Sequence, residues 1–156
     1  MAPDVNRVRL VLDAREENVG VARAVAAQVA AALDFTLPEL EELRIAVSEA
    51  VSNAVLHAYP DASRQGAAPQ VEVAIAVGGG AASIEVTDVG RGIADVAAAR
   101  RAEYSTLEGH LGLGFAFMEA MADELEVEST VGAGTRVRLV KRPHAPASAQ
   151  PDHAPR

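Results

Sequence analysis

Three polar residues recur at four-residue intervals in the segment SEAVSNAVLHAY, residues 48–59: Glu49, Asn53 and His57. A four-residue step turns an α-helix about 40° beyond a full turn, so the three side chains share one stripe. A carboxylate one turn away from an amide oxygen suits a general base beside a metal ligand. The alternative is a solvated polar edge, although Asn is costly in the middle of a helix.

A second candidate follows the third predicted strand. Asp88 ends an alternating run of residues and is followed by Val89, Gly90, Arg91 and Gly92. A carboxylate at this place can accept a hydrogen bond from an exocyclic amine, and the glycines let the backbone lie close under a flat ring. The same pattern is also typical of a turn at the exit of a strand.

Two further glycine pairs are either parts of a binding site or ordinary loops and turns. Gly112-Leu113-Gly114 enters a predicted helix, where free backbone N–H groups form an anion site, although any loop before a helix has this appearance. Gly132-Ala133-Gly134-Thr135 is typical of a hairpin turn into the last strand. The chain has neither a G-x-G-x-x-G after its first strand nor a G-x-x-x-x-G-K-[ST] motif, which excludes a dinucleotide fingerprint and a P-loop.

The elements that must position these residues follow the order β-α-α-β-β-α-α-β-β. Periodicity predicts strands at about 5–12, 70–77, 81–88, 125–129 and 135–140, and helices at about 17–33, 36–59, 95–102 and 115–122. This order predicts an α+β fold, a two-layer sandwich whose mixed, mainly antiparallel sheet carries helices on one face. We expect one domain over residues 1–142 and a disordered Pro/Ala-rich tail over 143–156.

Periodicity also predicts what the first two helices bury. In the first helix, Val21, Val25 and Val29 stand four residues apart and predict one narrow apolar face. The sequence TLPE at residues 36–39 predicts a capping box at the start of the second helix. On the second helix, the positions opposite the polar stripe are predicted to form its core side: Leu43, Val47, Ala50, Val51 and Ala54.

Composition bounds the functions that the chain can have. Its 156 residues are 49% hydrophobic but only 3% aromatic, so we expect one domain with a core of small side chains. The absence of Cys excludes disulfides, thiolate metal sites and a cysteine nucleophile. A net charge of −8 disfavours direct nucleic-acid binding and a polybasic membrane anchor. With no signal peptide and no long apolar run, we expect a cytoplasmic protein.

Taken together, SEAVSNAVLHAY, DVGRGI, GLGF and GTRVRL resemble the histidine-kinase-like (GHKL) ATPase superfamily. Within it the chain is similar to the anti-sigma-factor serine kinases of the RsbW and SpoIIAB type, over about residues 8–141. The resemblance implies the Bergerat fold of these ATPases, with ATP and Mg²⁺ as cofactors. It also implies a sigma factor and an anti-anti-sigma protein of the STAS class as partners, and a homodimer formed through the first strand and helix region.

The resemblance implies a role for each matched residue. Glu49 matches the general base, Asn53 the Mg²⁺ ligand, and His57 a residue near the phosphate end. Asp88 matches the carboxylate that recognises adenine N6, Gly90 and Gly92 the pocket floor, and Thr135 a hydroxyl in the network of that carboxylate. Gly112 and Gly114 match the phosphate-side glycine box, residues 104–111 the ATP lid with Thr106 and His110 at the nucleotide, and Arg23 a partner-contacting residue.

Two function hypotheses follow from this resemblance. In the first, the protein phosphorylates a serine of a STAS-type anti-anti-sigma protein and sequesters a sigma factor. In the second, it binds ATP or ADP and switches partners with little or no kinase activity. The second is favoured by the short lid and by His110, because related kinases often carry an Arg there. A sensor histidine kinase would need a preceding helix with an acceptor His, and a gyrase-type ATPase a transducer domain.

Overall fold

The computed structural model of the chain describes residues 4–60, 68–101 and 114–144. Its strands are β1 (Asn6–Asp13), β2 (Gln70–Gly78), β3 (Ala81–Asp88), β4 (Glu124–Thr130) and β5 (Gly134–Lys141). Its helices are α1 (Glu16–Ala30), α2 (Leu37–His57), α3 (Val96–Arg100) and α4 (Gly114–Met121). The predicted order of elements is confirmed, and the α+β architecture with it.

The five strands form one sheet in the order β1-β2-β3-β5-β4. All four pairings between these described strands are antiparallel, which confirms the predicted mainly antiparallel sheet. The turn between β2 and β3 is made by Gly79 and Gly80, with φ of 61° and 75°. Two successive positive φ values give the turn whose twist matches an antiparallel hairpin, and only glycine adopts them without strain. Because strand side chains alternate, one face of β2 and β3 is buried against the helices.

Small side chains let α1 and α2 approach each other closely. Ala22, Ala26 and Ala30 of α1 are fully buried, while Val21 is 45% exposed. Val25 and Val29 are half-buried and pack against the core, so the buried face of α1 centres on the alanines and the predicted valine stripe lies at its border. A stripe of alanines lets two helix backbones come nearer than valines would, so packing selects the alanine face.

The predicted core side of α2 is confirmed. The buried residues of this helix are Leu43, Ala46, Val47, Ala50, Val51 and Ala54. They pack against α1 and against the sheet, where the side chains of β2, β3 and β5 complete the core. None of the described helices has the length and hydropathy that a membrane span requires.

The start of α2 carries the predicted capping box. Thr36 accepts from the N–H of Glu39, and the Glu39 carboxylate accepts from the N–H of Thr36. The same carboxylate also accepts from the backbone N–H of His144, at 2.8 Å, which ties the chain beyond β5 to this helix. His144 thus lies two residues beyond the expected domain boundary; residues 145–156 lie outside the described residues, so the disordered tail stays a prediction.

Lys141, the last residue of β5, connects this strand to α2 and α4. Its side chain is almost fully buried, and its Nζ donates to Glu42 of α2 at 2.6 Å and to the Met121 carbonyl at 2.7 Å. A cation at the last carbonyls of a helix satisfies an acceptor that has no partner within the helix. The pair therefore fixes the C-terminal end of α4 relative to α2 and β5.

Glu39 should make the stability of the protein depend on pH. Hydrogen bonds from the backbone of His144 and of Thr36 lower the pKa of Glu39 from 4.5 to about 2. Because the pKa is lower in the folded state, its contribution is complete above the unfolded value and is lost as the pH falls towards the folded one. We expect Glu39→Gln to flatten the fall in melting temperature between about pH 5 and pH 2.

The matched control is Glu41→Gln, a change of the same kind two residues along α2 on a side chain that is 69% exposed. Its melting profile should follow that of the wild type in shape. If Glu39→Gln loses stability on acidification as steeply as the wild type, the assigned role of Glu39 is wrong.

Candidate functional site

Asp88 lies at the end of β3, in the middle of the sheet, and points to the side that carries the helices. It is only 8% exposed, and its neighbours across the strands are Val71 of β2 and Thr135 of β5. Its Oδ1 accepts from the N–H of Gly90 at 2.9 Å. Burial raises the pKa of the Asp88 carboxyl, and the hydrogen bonds with the backbone of Gly90 and Thr135 oppose that rise. Asp88 is thus a buried acceptor held in one orientation.

The segment after Asp88 rests on two other parts of the protein. The N–H of Arg91 donates to the carbonyl of Ala58, just beyond α2, at 2.8 Å. The carbonyl of Arg91 accepts from the N–H of Gly132, in the β4–β5 turn, at the same distance. These contacts fix residues 89–93 between the end of α2 and the last hairpin.

Three glycines make this close approach possible. A Cβ on Gly90 would overlap the Ala58 carbonyl, and a Cβ on Gly92 would overlap the Thr130 carbonyl. Gly134 lies against the carbonyl of Asp88 in the same way, with a φ of 114°. An added methyl group at any of these positions forces a backbone to move. The predicted role of Gly90 and Gly92 in a pocket floor remains untested, but both are required by the packing.

Glu49 and Asn53 lie side by side on α2, facing the start of α4. A Cβ placed on Gly114 would lie 3.1 Å from Glu49 Oε2 and 3.4 Å from Asn53 Oδ1. Both side chains are half-buried, as is His57 one turn further on. The structure therefore brings three of the predicted residues, Glu49, Asn53 and Gly114, to one place.

The donor set at this place suits a hard divalent cation. Mg²⁺ prefers oxygen ligands and is usually held by one or two side chains together with water and substrate phosphates. Asn53 supplies an amide oxygen and Glu49 a carboxylate, and both lie beside Gly114. The residues present fit Mg²⁺, although no described cluster of three His, Asp or Glu side chains forms a cation site by itself.

Both halves of the candidate site are attached to the same helix. Gly114 lies next to the side chain of Asn53, and Gly90 lies against the carbonyl of Ala58. At 1.5 Å per residue these two positions are about 7.5 Å apart along the helix axis. The two halves of the candidate site are therefore placed by positions less than two turns apart on one stretch of chain.

Thr135 lies directly across the strand pair from Asp88. Its hydroxyl is 2.8 Å from the hydroxyl of Ser129, which also accepts from the N–H of Ile93 at 2.7 Å and donates to the Gly134 carbonyl at 3.1 Å. Thr135 thus belongs to the polar network around the loop. Three other predicted site residues, Thr106, His110 and Gly112, lie outside the described residues.

Sequence reasoning missed Tyr59 and Ser129, which both hold the loop after Asp88. The Tyr59 hydroxyl donates to the Gln70 carbonyl at 2.6 Å and accepts from the N–H of Val89 at 3.1 Å. Tyr59 closes the motif SEAVSNAVLHAY, and this position was the one available signal. Ser129 carries no motif, so only the pairing of β4 with β5 reveals it.

Arg23 lies on the exposed side of α1, as predicted, and lines an open groove of about 490 Å³ between α1 and α2. Val19, Val55 and Leu56 form its apolar wall, and Glu16 and Glu17 stand at one end. Its lining residues do not include Asp88, Glu49, Asn53 or Gly114.

Over residues 12–141 the sequence matches the family described as the histidine kinase-like ATPase domain. The chain belongs to this family. The superfamily that was inferred from the four motifs is thereby confirmed, and ATP is the ligand that a histidine kinase-like ATPase domain implies.

Similar proteins include several named anti-sigma F factor. That of Thermoanaerobacter sp. (strain X514) is 38% identical over 138 residues, which cover 87% of this chain and 93% of that protein. That of Geobacillus kaustophilus (strain HTA426) is 40% identical over 139 residues, which cover 87% and 92%. A crystal structure of the RsbU and RsbW domains of Rv1364c from Mycobacterium tuberculosis has a TM-score of 0.63 and 25% identity, covering 91% of this chain and 34% of that one.

The close contact of Gly90 with Ala58 predicts a large cost for a methyl group in this ATPase domain. We expect Gly90→Ala to lower the free energy of unfolding by about 1–3 kcal/mol, because the loop or the end of α2 must shift. Urea unfolding measures this change.

Gly20→Ala is the matched control, since a Cβ there meets no described atom within 4 Å and the residue lies inside α1. It should raise stability by about 0.5–1 kcal/mol, the usual gain of Ala over Gly in a helix. Equal effects of the two substitutions would contradict the packing described for Gly90.

Proposed function

We propose that the protein binds ATP with Mg²⁺, transfers the terminal phosphoryl group to a serine of a STAS-type anti-anti-sigma protein, and sequesters a sigma factor. The observation that carries this proposal is the attachment of two chemically different half-sites to α2. Asp88 offers a buried acceptor to an amine-bearing base, and Glu49 and Asn53 offer oxygens beside the start of α4. The names of the similar anti-sigma F factors support the anti-sigma role.

At the base end, Asp88 would accept a hydrogen bond from the exocyclic amine of adenine. Burial raises the pKa of Asp88 because it removes water from the carboxylate. A ligand that donates a hydrogen bond would replace that water, and this favours binding. Thr135, across the strand pair, supplies a hydroxyl to the same polar network. Gly90 and Gly92 have no side chains and would keep the floor of the adenine pocket flat.

At the phosphate end, Asn53 would supply a ligand to Mg²⁺, which when bound neutralises charge on the phosphates. Glu49 lies within reach of the same place and would accept the proton of the attacking serine hydroxyl. Phosphoryl transfer depends chiefly on positioning and charge stabilisation. His57 would lie one turn further along α2, and Gly112 with Gly114 would leave backbone N–H groups open to the phosphates.

The groove between α1 and α2 is the surface that we propose for a protein partner. Arg23 is exposed beside an apolar wall, and an arginine at the edge of an apolar patch is a common anchor in protein interfaces. The residues that line this groove differ from those of the proposed nucleotide site, and Ser52 and Leu56 border that site on α2.

We also propose a homodimer through β1, which lies at one edge of the sheet. Antiparallel pairing of two β1 strands about Leu10 would set Val8 opposite Leu12 and Arg7 opposite Asp13 of the other copy, which are complementary pairs, and Arg9 opposite Val11, which is not. The other edge, β4, carries Glu124, Glu126 and Glu128, each of which pairs with an arginine of the same chain. Sedimentation of the full chain as a monomer would contradict this proposal.

Substitutions of Glu49 and Asn53 should separate phosphoryl transfer from the binding of ATP. Glu49→Gln keeps the shape of the side chain and removes the base, so transfer to the partner serine should fall by roughly 10²–10⁴-fold while ATP still binds. Asn53→Ala removes a metal ligand and should weaken the binding of Mg·ATP itself. Titration calorimetry and single-turnover transfer from labelled ATP measure the two effects.

Glu49→Gln transferring at the wild-type rate would show that Glu49 is not the base. If the wild type binds ATP but transfers nothing to its cognate STAS protein, the protein is a nucleotide-dependent partner-switching module without kinase activity.

Arg23→Ala should weaken partner binding by about 1–2 kcal/mol, since it removes the cation of the groove. Binding of the cognate sigma factor and STAS protein by calorimetry tests this. Arg142→Ala is the matched control, because Arg142 lies beyond β5 and pairs with Glu124, on the edge strand away from the groove. If Arg23→Ala binds both partners as the wild type does, Arg23 is a solvated surface charge.

A further inference from the structure

Tyr59 is the side chain that connects the end of α2 with the loop that follows Asp88. Its hydroxyl donates to the carbonyl of Gln70, the first residue of β2, at 2.6 Å. The same oxygen accepts from the N–H of Val89 at 3.1 Å. The Val89 side chain is 76% exposed, so the backbone of Val89 is held from the inside while its side chain remains in solvent.

The geometry connects this hydroxyl to the orientation of the Asp88 carboxylate. Val89 lies between Asp88 and Gly90, and the N–H of Gly90 donates to Asp88 Oδ1. A shift of the Val89 amide therefore moves the donor that holds the carboxylate. Burial raises the pKa of Tyr59, the hydrogen bond from the Val89 backbone opposes that rise, and the charge of Asp88 adds to it. The effect of Asp88 agrees with a hydroxyl that lies close to its carboxylate.

We propose that Tyr59 is a positioning residue for base recognition: its hydroxyl holds the Val89 amide and thereby sets Asp88 to accept from a 6-amino purine. This inference rests on the proposed binding of ATP and goes beyond it by assigning base selectivity to Tyr59, a residue for which the motifs gave no role. A guanine base presents a carbonyl oxygen in place of the 6-amino group, so a correctly held carboxylate repels it. If the Asp88 carboxylate is free to rotate, it no longer discriminates between adenine and guanine.

The test is the affinity of the full chain for Mg·ATP and for Mg·GTP, measured by titration calorimetry. Tyr59→Phe removes the hydroxyl and keeps the ring. We expect its ATP affinity to fall roughly 3- to 10-fold, the usual effect of one lost hydrogen bond, with little change for GTP. The preference for ATP over GTP should therefore fall by the same factor.

Two further variants separate positioning from general stability. Thr36→Ala removes the cap at the opposite end of α2, so it should lower the melting temperature and leave the ATP/GTP ratio unchanged. Asp88→Ala removes the carboxylate on which Tyr59 is proposed to act. Adding Tyr59→Phe to Asp88→Ala should then cause no further loss of ATP affinity, because the two changes interrupt one interaction.

An unchanged ATP/GTP ratio in Tyr59→Phe overturns the inference, as does a loss that adds fully to that of Asp88→Ala. Failure of the wild type to bind either nucleotide would overturn the proposed function as well. A wild type that prefers ATP, with Tyr59→Phe keeping the full preference, would overturn only the role of Tyr59.

Discussion

The contact between the end of α2 and the loop after Asp88 is the constraint on which the candidate site depends. The Ala58 carbonyl accepts from Arg91, and the absence of a side chain on Gly90 allows the two backbones to meet there. Because α2 also carries Glu49 and Asn53, the same rigid helix sets the distance between the two half-sites. A helix is stiff over this length, so the spacing does not depend on a loop.

The sheet provides the second fixed reference. Asp88 is held between β2 and β5, and the register with β5 puts Thr135 opposite it. On the opposite face of the sheet, the Arg136 guanidinium pairs with Glu85 at 2.7 Å and with Glu128 at 3.0 Å. Exposed pairs of this kind contribute little stability, but opposite charges across neighbouring strands favour this register over a shifted one.

The core is thin because its side chains are small. Fully buried alanines on α1 face α2, and valines cover most of the inner face of β2. Close helix packing replaces aromatic volume, which explains how a chain with 3% aromatic residues forms a two-layer fold. Lys141 then joins α2 and the end of α4 to β5 through one buried cation.

The sequence by itself determined the elements, their order and the four motifs of the site, because hydrophobic periodicity and glycine positions are local properties. It also determined the capping box at Thr36, which needs only residues within one helical turn. It did not determine where the buried face of α1 is centred: valines and alanines are both apolar, and only the nearness of α2 puts the alanines at the centre and Val25 and Val29 at the border. Nor did it identify Tyr59 and Ser129, because their partners at Val89 and Ile93 are 30 and 36 residues away. Contacts of that range exist only once the sheet register and the end of α2 have brought the backbones together.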